Sequence, residues 1–219
     1  RVKIRQALAV LAPLELQIGK SIDNLYRTRR DLASDLWARI EGQVAVTGPE
    51  VTLPLDTFEG LSADHQRRFL NATLRYLSGA DYAPRGQKVQ RLLETGFSEA
   101  VTLHGCALFA RKGKLHIARE LAAVAELRAA PNESWDGHWM FSGPSVEGAN
   151  IAALGEKGLR QIGASWRENG YSRRAMLSVP AIWHKDLVIF APFCAKNTAE
   201  WQILTAPDTQ GLQSFVLTH

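Results

Sequence analysis

A chain of 219 residues with 46% hydrophobic and 22% charged residues has the make-up of ordinary globular protein and the length for two modest cores. Its formal net charge of +4 and isoelectric point near 9.2 permit nucleic-acid or acidic partners without requiring them. There is no low-complexity tract, and no apolar run approaches the roughly 18 residues a membrane span needs, so a soluble, cytoplasmic protein is expected, with no membrane partner. The charge is unevenly spread: residues 1–130 hold 19 Lys/Arg against 14 Asp/Glu, and residues 131–219 hold 7 against 8. Cys106 and Cys194 lie far apart in apolar surroundings, which suits buried free thiols in a reducing compartment. The chain opens in a helical rhythm without an initiator Met, as a piece of a longer polypeptide would.

In chain order, Ile4, Leu8 and Leu11 mark an amphipathic helix that Pro13 is expected to stop. Ile22, Leu25, Leu32, Leu36 and Ile40 mark the buried stripe of a longer one over about 20–43, with Tyr26 and Trp37 at its edge. On it, Arg27 can pair with Asp31, and Arg29 and Arg30 are read as a solvated face. Thr47-Gly48-Pro49 is a break, and Val51–Leu55 alternates like a short strand whose Pro54 hints at an edge. Ser62 is a candidate N-cap for a helix ending at Ser78-Gly79. Phe69, Leu70, Thr73, Leu74 and Leu77 form its buried side, with His65 on its surface. The opposite side carries Arg67, Arg68 and Arg75, a basic ridge within a few turns. Pro84 suits the first turn of a further helix that points Arg85, Lys88 and Arg91 away from Val89, Leu92 and Leu93.

From residue 100 the period changes to two. A strand at Val101–Leu103 breaks at His104-Gly105, and a hairpin runs from Ala107 to Ala118 through a basic turn containing Lys112 and Lys114. Ala130–Ser134 reads as a linker. Beyond it come short β-like runs at 138–141, 151–154, 181–183, 187–190, 201–204 and 214–217, with short helices near Gly158–Ile162 and Arg173–Leu177. Lys185 sits at a hairpin tip. The class is α+β, in three parts: N-terminal helices over 1–46, a small αβ unit over 47–130, and a mainly β unit with short helices over 131–219.

Catalytic signatures are missing. No phosphate loop, dinucleotide fingerprint, nucleophile elbow or His-Glu-x-x-His helix occurs, and the six histidines are dispersed, with His219 at the end. His104 with Cys106 makes at most half a metal site, and Asp136 and His138 fit a polar turn as well as acid/base work. An independent small enzyme using His104 or His138 is therefore the weakest of three readings. The other two are an RNA-binding region and a structural or protein-interaction module whose basic helices are only a solvated face. For RNA, the candidate backbone contacts are Arg67, Arg68, Arg75, Arg85, Lys88 and Arg91 in the first part, with Arg173, Arg174 and Lys185 in the second.

Gly79-Ala80-Asp81-Tyr82-Ala83-Pro84-Arg85, then Val101–Cys106 and Ile117–Glu120, resemble the region after the catalytic domain of bacterial tRNA(Ile)-lysidine synthetases, particularly the α-proteobacterial type. Trp135-Asp136, Ala153–Gly155 and Leu177–Trp183 resemble the C-terminal part of the same proteins in the same order, and Arg1–Arg5 the helix that leaves the catalytic domain. The resemblance implies an ATP-dependent ligase that activates the cytidine at the first anticodon position of tRNA(Ile) and joins lysine to it. The family's Ser-Gly-Gly-x-Asp-Ser signature is absent from the sequence. The resemblance therefore implies the tRNA-recognition part, with tRNA(Ile) as its partner, no cofactor or metal of its own, and ATP, Mg and lysine engaged by the catalytic domain. A homodimer is left open.

Overall fold

The computed structural model describes residues 2–194 and 200–218, and of residues 2–13, 15 and 16 the backbone alone. Helix α1 runs unbroken over Val2–Ile40. The expected stop at Pro13 is thus corrected: the apolar rhythm on both sides of it continues in one helix. Among the described residues of α1, the buried apolar side chains are Ala33, Leu36, Trp37 and Ile40, toward its C-terminal end. Ile22 and Leu25, expected to be buried, stand 45% and 70% exposed, so the stripe outruns what covers it.

Strands β1 (Ala45–Thr47) and β2 (Glu50–Pro54) form a hairpin across Gly48, then come the short helix α2 (Leu55–Glu59) and α3 (Ala63–Ser78). Ser62 caps α3, its Oγ accepting from the His65 N–H at 3.3 Å, and Gly79 ends it at φ 65°. After α4 (Gly86–Thr95) come β3 (Val101–Leu103), β4 (Cys106–Arg111) and β5 (Lys114–Arg119). The five strands form one antiparallel sheet in the order β1-β2-β5-β4-β3. β2 is therefore interior, and Pro54 is tolerated at its last position, beyond the reach of β1, which pairs only as far as Thr52. The β3–β4 and β4–β5 turns carry successive residues at positive φ, His104-Gly105 and Lys112-Gly113, the geometry that matches strand twist.

Alternation places the two faces of this sheet in different environments. Val51, Leu53, Cys106, Leu108, Leu115 and Ile117 face α3 and join Phe58, Phe69, Leu70 and Leu74 in the first core. Burying each large side chain of this kind stabilises by about 1.5–3 kcal/mol. The other face carries Glu50, Thr52, Ala107, Phe109, His116 and Ala118, all buried as well. It is covered by the second lobe. That lobe contains α5 (Leu121–Val124), β6 (Met140–Ser142), β7 (Ala149–Ala153), α6 (Gly155–Gln161), a 3-10 turn (Ser165–Arg167) and α7 (Arg173–Ser178). β8 (Pro180–His184), β9 (Leu187–Phe190) and β10 (Gln202–Thr205) complete it. The strands make a three-stranded sheet β7-β8-β9 and a β6-β10 pair.

The run at 214–217 is not a strand. It belongs to α8 (Thr209–Thr218), which returns to the first core, burying Leu212 and Val216. A short apolar run is ambiguous between strand and buried helix. Here the i, i+4 spacing of Leu212 and Val216 and the cap from Asp208 Oδ1 to the Gly211 N–H decide it. The expected third part, 131–219, is accordingly divided in its packing. Tyr76 on α3 fastens the start of α8: its hydroxyl donates to the Asp208 carbonyl at 3.1 Å and accepts from the Asp208 N–H at 2.9 Å. His65, expected on the surface, is buried, with Nε2 3.5 Å from Asp35 Oδ2 on α1. His219 lies outside the described residues.

Candidate nucleic-acid interface

α1, α3 and α8 enclose a groove of about 620 Å³. Its floor is apolar, with Ala33 and Leu36 from α1, Ala72 from α3, and Val216 and Leu217 from α8. Its walls are basic. Arg67, Arg68 and Arg75 line it from α3, with Asn71 among them; Arg27, Arg29 and Arg30 line it from α1, where Tyr26 adds an exposed ring. Among the described residues the lining contains six arginines and no carboxylate. In such a concave site the fields of like charges add, which favours an anionic partner.

The α3 arginines are held in place. Asp64, in the first turn, accepts from Arg67 Nη2 and from Arg68 Nε, each at 2.5 Å. The Arg68 hydrogen bond is the main reason that the Asp64 carboxyl lies below its ordinary value; burial opposes it, and Arg67 adds to the lowering. Each arginine keeps further N–H groups, because Asp64 takes one donor from each. Arg75 Nη2 donates to the Asp81 carbonyl at 2.7 Å, and its guanidinium lies 5.3 Å from the centre of the Phe215 ring. Arg75 thus clamps the turn between α3 and α4.

The other expected contacts are dispersed. Arg85, Lys88 and Arg91 are exposed on α4 and do not line the groove. Arg173 donates from Nη2 to both oxygens of Glu156, at 2.8 and 2.6 Å. Arg174 lies 5.9 Å from the Phe109 ring centre, across the junction of the lobes. Lys185 sits on the β8–β9 turn at φ 54°. The structure therefore brings together three of the nine expected cations and adds three from α1. The spacing of Arg27 and Arg30, on the same side of a helix as Ala33 and next to Tyr26, was the one available sign.

The histidines do not assemble a reaction centre. Nε2 of His104 and Nε2 of His138 are buried without a partner, and burial is the first cause that pushes both imidazoles below their ordinary value. Burial pushes the Cys106 thiol up to about 12, so it is no nucleophile. Asp136 instead takes a bidentate pair from Arg119, at 2.7 and 2.8 Å. Among the described residues no group of three or more His, Cys, Asp or Glu could hold a metal ion, and no helix is long and apolar enough to cross a membrane.

No family model matches the chain, and no solved structure matches it. The chain is similar to the tRNA(Ile)-lysidine synthase of Ruegeria pomeroyi, with 29% identity over 196 residues, 88% of this chain and 46% of that protein. The chain thus spans about half the length of the curated relative it matches, an extent that fits a C-terminal region.

Proposed function

We propose that this chain is the tRNA-recognition region of a cytoplasmic tRNA(Ile)-lysidine synthetase, and that the groove between α1, α3 and α8 is where it holds RNA. The observation that carries the reading is the convergence of arginines from two helices remote in sequence on one groove that has no carboxylate among its described residues. Arginine suits this role because its planar fork engages phosphate oxygens in pairs and stays charged. RNA duplexes are recognised chiefly through shape, phosphates and 2′-hydroxyls, which asks for a fixed basic frame rather than reactive groups. The Asp64 clasp on Arg67 and Arg68 and the Arg75 clamp supply such a frame.

The ATP, Mg and lysine implied by the resemblance are assigned to the catalytic domain of the parent enzyme. The groove offers no carboxylate among its described residues as a magnesium ligand, and no step of the ligation is assigned to these residues. The competing reading is a structural or interaction module, favoured by the intramolecular engagement of Arg67, Arg68 and Arg75. The two separate on a variant that leaves the Asp64 clasp intact. Arg27→Glu with Arg30→Glu should weaken tRNA(Ile) binding at least tenfold by fluorescence anisotropy, with the melting temperature unchanged. Unaltered binding would remove the groove as the RNA site, and no binding by the wild type would support the module.

A further inference from the structure

We propose that the groove takes an unpaired, single-stranded stretch of RNA, with one base on the apolar floor against Tyr26 and its flanking phosphates on the arginine walls. This deepens the reading above and rests on it.

Size and chemistry of the lining both point this way. About 620 Å³ lies within the roughly 300–1,000 Å³ of pockets that enclose a small ligand, so a nucleotide fits inside. A duplex keeps its bases inward and shows a convex surface of phosphates, so it can only straddle the mouth of the groove. A surface built for straddling needs cations along its rims and gains nothing from a floor of Ala33, Leu36, Ala72 and Val216. A single strand uses both, because each nucleotide brings one charged edge and one flat apolar face.

The combination of a basic groove with an aromatic platform is how single strands are held without sequence preference. Tyr26 supplies the platform: its side chain lines the groove and is 66% exposed, although a tyrosine usually buries its ring. Arg30, one helical turn on, is placed to meet the phosphate that follows the stacked base. Arg67 and Arg68 stand on the facing wall, pre-set by Asp64. Asn71 lines the groove between those arginines and Arg75, and its Oδ1 is buried with no hydrogen-bond partner among the described residues.

The test uses the 219-residue chain with two labelled probes, an octanucleotide of adenylates and a blunt, G·C-rich RNA duplex of eight base pairs, compared by anisotropy at one ionic strength; the duplex carries more phosphates, so charge alone favours it. The octanucleotide is expected to bind at least fivefold tighter than the duplex. Tyr26→Ala should cost the octanucleotide about tenfold, the scale of one lost stacking contact, and leave the duplex unmoved, while Tyr26→Phe keeps the affinity. Tyr26 is exposed, so these variants fold. Equal or tighter duplex binding, insensitive to Tyr26→Ala, overturns the single-strand proposal and leaves the groove as a backbone rail, with the tRNA reading intact. Failure of both probes and of tRNA(Ile) to bind overturns both.

Discussion

Replacing Glu50 by Ala should cost the protein about 3 kcal/mol. Glu50 is only 2% exposed and joins the two lobes from the far face of the first sheet. Its Oε1 accepts from the Ser172 N–H at 3.1 Å, and its Oε2 lies 3.1 Å from His116 Nδ1. His116 Nε2 is 3.3 Å from the Arg111 carbonyl, so both ring nitrogens face oxygen acceptors. Truncation orphans two buried donors at about 1–3 kcal/mol each, and relief from desolvating the carboxylate returns part of that. At about 2–4 °C per kcal/mol for a chain of this size, the melting temperature should fall by about 6–12 °C. The pH dependence has a definite sign. Burial alone would raise the Glu50 carboxyl, but hydrogen bonds from His116 and Ser172 and the imidazole charge outweigh it and hold it below its ordinary 4.5. Its stabilisation is therefore complete above pH 4.5 and lost as the pH falls through the lowered folded value. The assay is urea and thermal unfolding of wild type, Glu50→Ala, His116→Ala and the double variant at pH 7 and below pH 4. The reasoning is refuted if Glu50→Ala costs under about 1 kcal/mol at pH 7, or if the two single losses simply add.

Gly143 presents no side chain to the Trp201 ring, and a Cβ there would lie 2.2 Å from it. Gly143→Ala should destabilise by about 2–3 kcal/mol and shift the tryptophan emission, since backbone and ring must separate. Arg119→Met leaves Asp136 a half-buried carboxylate without its bidentate partner and should cost about 3 kcal/mol in urea titrations, more than Arg119→Met with Asp136→Asn together. Tyr76→Phe removes both hydrogen bonds to Asp208 and should cost about 1–2 kcal/mol, with faster amide exchange at the start of α8 than elsewhere.

The α+β class and most elements were legible because local chemistry specified them. Ser62 and Gly79 bound α3 at the residues the sequence marks, and the two turns at positive φ fall where strand periodicity breaks. What escaped depends on contacts between distant segments. Nothing near Pro13 announces that α1 continues, and Phe215-Val216-Leu217 reads as strand or helix until the first core claims Leu212 and Val216. Glu50 looks like a solvent-facing residue at a strand start, because its partners His116 and Ser172 lie far along the chain. The groove escaped for the same reason. Arg67, Arg68 and Arg75 form a ridge visible from helical spacing, whereas Arg27, Arg29 and Arg30 join it only when α1 crosses α3.

The central claim is that these arginines neutralise RNA phosphates, and the salt dependence of tRNA(Ile) binding tests it most directly. Each phosphate neutralised contributes about −0.7 to −0.9 to the slope of log affinity against log salt concentration. With at least four of the six groove arginines engaged, the slope should be about −3 or steeper between about 50 and 200 mM salt. Arg27→Gln with Arg30→Gln should flatten it by about 1.4 to 1.8. An affinity that stays constant across that range, or a slope that the double substitution leaves unchanged, contradicts the assignment of the groove to RNA.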